Sequence, residues 1–88
     1  MMIERIGEPA MLEQLAEEAS ELAQAALKAA RIERGENPTP VTDKEAEDHL
    51  IEEFTDVCTC AEELGLHADP RVEAAKRDRF LCRIGAEA

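Results

Sequence analysis

The sequence predicts an all-α protein, with three main helices forming a helical bundle that oligomerisation completes. Three observations lead there. Proline, glycine and capping residues cut the chain into three long segments, apolar residues recur along those segments at helical spacing, and no segment alternates as a strand does. The 88 residues are enough for one domain, residues 1–88, and too few for two. Hydrophobic residues make up 44% of the chain, yet only two Phe are aromatic, so the core must come from Leu, Ile, Val, Met and much Ala. Such a core is thin, and chains this short often need a metal, a disulfide or another subunit to be stable. An oligomer is the expected state.

The first helix is expected over about residues 9–34. Pro9 is tolerated in a first turn, Gly35 can follow the C-cap, and Lys28, Arg31 and Arg34 put positive charge at the negative end of the helix dipole. Residues 35–40 hold two prolines, which forbid helix and favour an extended connection. The second helix, about residues 43–64, opens on Thr42-Asp43-Lys44-Glu45, which reads as a capping box, and Gly65 stops it. Asp69-Pro70 supplies an N-cap followed by proline at the first helical position, starting a third helix over about residues 70–84. Residues 85–88 are expected to fray.

Charge narrows the ligand classes. With 21 acids against 10 bases the net charge is −11, which would repel a nucleic acid polymer, because phosphate binding relies on Lys and Arg. No apolar run approaches the length that spans a bilayer, and Met1-Met2-Ile3-Glu4-Arg5 lacks the apolar stretch of a signal peptide. A cytoplasmic protein is expected. Cys58, Cys60 and Cys82 are odd in number, as suits a reducing compartment. Zinc ligation by these with His49 and His67 is disfavoured: residues two apart on a helix point about 200° from each other.

The acids carry the sharper signal. On the first helix Met11, Leu15, Leu22, Ala26 and Ala29 share one side, Glu18 falls near the middle of that stripe, and Glu21 lies further out on the same edge. On the second, Ala46, Leu50, Val57, Cys60 and Leu64 share a face with Glu53 in its middle and Asp56 at its border. A carboxylate in a core costs several kcal/mol unless it is protonated, paired or bound to a metal. Bringing Glu18 and Glu21 against Glu53 and Asp56 gives a four-carboxylate cluster suited to Mg²⁺, with Mn²⁺ as a substitute, and such ions keep positions open for phosphates. The competing expectation is a buried Arg paired with Glu53.

Glu17 and Glu52 precede the two clusters and, turned by about 100°, would lie beside them as water-activating groups or as solvated acids. The third helix carries Lys76, Arg79 and Arg83 on one line, a basic stripe that could clamp phosphates or form ordinary ion pairs. Phe80, near that line, could stack on a base or fill the core.

Glu17-Glu18-Ala19-Ser20-Glu21 and Glu53-Phe54-Thr55-Asp56 resemble the EExxE and ExxD motifs of the MazG-like, all-α nucleoside triphosphate pyrophosphohydrolases, relatives of dimeric dUTPases and phosphoribosyl-ATP pyrophosphohydrolase. The resemblance spans about residues 12–83. It implies a helical bundle working as a dimer or tetramer, and Mg²⁺-dependent cleavage of a nucleoside triphosphate between its α and β phosphates. It also implies Glu18, Glu21, Glu53 and Asp56 as metal ligands; Glu17 and Glu53 are the candidate catalytic carboxylates for the attacking water. The family's phosphate-contacting Lys, Asn and Arg correspond to Lys76, Phe80 and Arg83, so Phe80 departs from the pattern. The gap between the two acidic motifs is longer than is usual for the family, and a leading helix before Glu17 is expected to be absent. A nucleotide-binding regulator without hydrolysis and a purely structural oligomerisation module are the alternatives.

Overall fold

The computed structural model describes residues 1–36 and 40–85. Among them are four helices and no strand: α1 (Met2–Ile6), α2 (Glu8–Glu33), α3 (Asp43–Glu63) and α4 (Pro70–Arg83). The last three are the expected helices, each boundary within a residue of its expected place. The extended connection foreseen at Asn37-Pro38-Thr39 and the fraying foreseen at residues 86–88 lie outside the described residues.

The caps explain these boundaries. The Thr42 Oγ1 accepts from the Glu45 backbone N–H at 3.1 Å and donates to the Glu45 carboxylate at 3.2 Å, so Glu45 closes the box on the hydroxyl. Asp69 Oδ1 accepts from the N–H groups of Arg71 and Val72 at the start of α4. At the end of α3, Gly65 takes φ 68°, which lets its own N–H reach the Glu62 carbonyl and that of Leu66 reach Ala61.

α2 and α3 form an antiparallel hairpin: Ala29 and Ile32 near the end of α2 meet Ala46 and Leu50 near the start of α3, while Met11 meets Cys60 at the far end. Their seam follows a seven-residue repeat. Residues 11, 15, 18, 22, 25 and 29 of α2 face residues 46, 50, 53, 57 and 60 of α3 and Leu64 at its C-cap, and all are buried or half-buried. Met11, Ala25, Ala46 and Cys60 are the fully buried members, with Met11 at 1% exposure. The expectation that Ala26 faces inward is corrected. Ala26 is exposed and Ala25 is buried, because the 4-3 repeat drifts from a strict 100° step over a 26-residue helix.

Two further expectations are overturned. A short leading helix is present: α1 packs on α2, and the Glu63 carboxylate at the end of α3 accepts from the Ile3 N–H at 2.8 Å, capping α1 from sixty residues away. Gly7 makes the corner between α1 and α2 with φ 86° and ψ 161°, a region that is essentially glycine's alone. Nor does Phe80 fill a core within the chain: every residue of α4 but the half-buried Leu81 is exposed, Phe80 to 55%. The radius of gyration is 16.3 Å, against about 12 Å for a compact chain of this length. Among the described residues no helix is long and apolar enough to cross a membrane.

Candidate metal centre

The hairpin seam is apolar except at two places, and those are Glu18 on α2 and Glu53 on α3. Each occupies a core position of the repeat, so the packing that joins the helices also aims both carboxylates into the same gap. Asp56, one turn beyond Glu53 on the exposed border, joins them: each of the three offers an oxygen within 4.8 Å of the others. Glu21 is outside this mutual group but lies beside Glu53, with an exposed side chain on the rim.

A polar side chain one helical turn back lies against each of the two central carboxylates. Gln14 Nε2 donates to Glu18 Oε1 at 2.8 Å, and His49 Nε2 lies 3.2 Å from Glu53 Oε1. In both cases the second oxygen, Oε2, is buried and has no hydrogen-bond partner among the described residues. The Glu53 side chain is only 12% exposed. Buried polar atoms without partners are rare, and acids that face one another without a cation are rarer still. The expected alternative of a buried Arg against Glu53 is not realised. Its neighbour is His49, half-exposed and a full positive charge only when protonated.

Proton affinities reflect the crowding. Partial loss of water pushes the Glu18 carboxyl above its ordinary range; the Gln14 hydrogen bond opposes this, and Glu21 and Asp56 add to it. Glu21 is raised first by desolvation and then by the Glu53 charge. Burial also pushes the Cys60 thiol up, with help from the charges of Glu18 and Asp56. Cys60 is therefore an inert core thiol, and Cys58 and Cys82 are exposed and free.

A cavity of about 230 Å³ opens on the cluster, with Glu18 and Asp56 in its wall and Met2, Ile6 and Met11 forming an apolar side. α1, which sequence reasoning missed, supplies two of those three. Glu17 and Glu52 are exposed, outside the cluster, as their helical turn requires.

No protein-family model, curated protein or solved structure matches this chain. Its chemistry must be argued from its own residues. Oxygen donors alone, two of them buried and unpaired, fit a hard divalent cation better than zinc. The expected phosphate clamp is not assembled within one chain. Lys76, Arg79 and Arg83 line an open groove walled by α4 itself, with Phe80 among them, and the acidic cluster is walled by α1, α2 and α3. Those three cations have no ion-pair partner among the described residues, whereas Arg77 is paired with Glu73 at 2.9 Å. Gln14 and His49 were also missed as contributors; the available signal was their place four residues before an inward acid.

Proposed function

We propose that this chain is a Mg²⁺-dependent nucleoside triphosphate pyrophosphohydrolase of the MazG-like kind, releasing a nucleoside monophosphate and pyrophosphate. The observation that carries this reading is the pair of buried, unpartnered carboxylate oxygens on Glu18 and Glu53, one on each side of the seam. Glu18, Glu53 and Asp56, with Glu21 at the rim, would hold Mg²⁺, or Mn²⁺ in its place, and the cation when bound would offset phosphate charge and acidify a water. Both acidic motifs of the resemblance fall on these residues.

The remaining steps belong to the chain. A carboxylate, Glu17 beside the cluster or Glu53 within it, accepts the proton of the attacking water. The water oxygen bonds to the α-phosphorus as the bond to the α–β bridging oxygen breaks, and pyrophosphate leaves with that electron pair. Lys76, Arg79 and Arg83 hold the departing group from a second copy, in a homodimer or homotetramer working in the cytoplasm. Charge supports that assembly: α4 bears five of the chain's ten Lys and Arg residues, while α3 bears nine of its 21 acids. Leu12, Ile51 and Phe54 on the exposed side of the hairpin offer apolar area for a subunit contact.

A nucleotide-binding regulator without turnover is the second reading, favoured by Phe80 at the family's Asn position and by the distance of α4 from the cluster. A panel of nucleoside triphosphates with Mg²⁺, read as pyrophosphate, separates the two. The hydrolase reading expects release that Glu53→Gln reduces to background with helicity unchanged. Binding without product favours the regulator, and full turnover by Glu53→Gln contradicts a catalytic cluster.

A further inference from the structure

We infer that Gln14 and His49 are a matched pair of positioning residues, which turn the Glu18 and Glu53 carboxylates into the seam and keep the space between them open for a divalent cation. This rests on the metal-dependent reading above.

The two arrangements repeat each other. Gln14 stands four residues before Glu18 on α2, and His49 four residues before Glu53 on α3, so each donor sits one helical turn behind its acid on the same face. Gln14 donates to Glu18 Oε1, His49 Nε2 lies 3.2 Å from Glu53 Oε1, and in both glutamates Oε2 is buried without a hydrogen-bond partner among the described residues. A glutamate has three rotatable bonds, and like charges facing each other across a seam would swing apart toward water. Tethering one oxygen on each side removes that escape and fixes where the other points.

The donor types matter as much as their positions. A Lys or Arg at either site would also hold the carboxylate, but it would bring its own charge and take the place of the cation. The Gln amide is neutral. Glu18 is therefore oriented without being neutralised, as a carboxylate cage for a metal requires. The structure offers the contrast within the same helix: Lys44 pairs with Asp48 at 3.0 Å on the solvent side, also four residues apart, and there no acid is left wanting a cation.

The test uses Mn²⁺ alone as probe, with its affinity for the full chain measured by electron paramagnetic resonance and folding checked by circular dichroism and thermal melting. Gln14→Ala and His49→Ala should each weaken Mn²⁺ binding about tenfold or more. His49→Gln, which restores a polar group within reach of Glu53, should recover most of the loss. Gln14→Lys and His49→Lys should raise the melting temperature of the metal-free protein while abolishing Mn²⁺ binding, opposite signs that simple loss of packing does not produce. Alanine or lysine variants that bind Mn²⁺ as tightly as the wild type would overturn the positioning role and leave the metal centre standing. A wild-type chain that binds no Mn²⁺ would overturn both.

Discussion

The α2–α3 hairpin and α4 are built from similar material and meet opposite fates. All three helices are amphipathic, capped as their sequences demand, and heavily charged. In the hairpin the apolar stripes find each other, and two half-buried acids lie along with them. In α4, Val72 and Phe80 remain about half exposed, as does Ile84 at its C-cap, and four of its five cations lack an ion-pair partner among the described residues. A periodic apolar pattern thus shows that a helix has a side to bury, without showing which molecule buries it. The hairpin buries its apolar stripes, and α4 leaves its own exposed.

That contrast is breakable by mutation. Met11→Ala empties the one large side chain that is wholly buried and should cost ~2–5 kcal/mol in chemical denaturation. Phe80→Ala, at 55% exposure, should change the stability of the isolated chain by less than ~0.5 kcal/mol. If α4 packs on a second copy, the Phe80 loss should appear instead as weakened self-association in sedimentation equilibrium. A Phe80 effect as large as that of Met11 in dilute, monomeric protein would erase the distinction between the two regions.

Gly7→Ala addresses the junction that sets α1 over the cluster. A Cβ there meets nothing closer than the Pro9 Cδ at 3.9 Å, so the penalty comes from φ 86° and should be ~1–3 kcal/mol. Faster hydrogen exchange confined to residues 2–7 is the expected signature. Global unfolding at unchanged local exchange would mean that α1 is not a separable cover.

The smallest effect expected is a pH dependence. Glu18 and Glu21 hold protons more tightly in the folded chain than in the unfolded one. Metal-free stability should therefore fall as pH rises from the ordinary glutamate range through their raised folded-state values, and be recovered on acidification. Glu18→Gln should flatten that slope. A metal-free protein whose stability rises through the same window would contradict the crowding of the acids.

Much of this arrangement was legible in the sequence. Glu18 and Glu53 interrupt apolar stripes of 3.6 period, and the seam keeps both where the pattern places them. Thr42, Asp69 and Gly65 marked helix ends because caps are local chemistry. What was not legible depends on distance. α1 is too short to show a period and takes its cap from Glu63, far along the chain. The exposure of α4 follows from how helices are set in space, and Gln14 and His49 read as ordinary polar residues until the oxygens they hold are known.

In the proposed function, Glu18 and Glu53 share the seam because a divalent cation belongs between them. Thermal unfolding of the wild-type chain with and without millimolar Mg²⁺ tests it most directly. A ligand bound only by the folded state at a hundred times its Kd stabilises by ~2.7 kcal/mol. The melting temperature should therefore rise by several degrees with Mg²⁺, and the rise should vanish in Glu18→Gln and Glu53→Gln. A wild-type melting temperature indifferent to Mg²⁺ and Mn²⁺ would contradict the account.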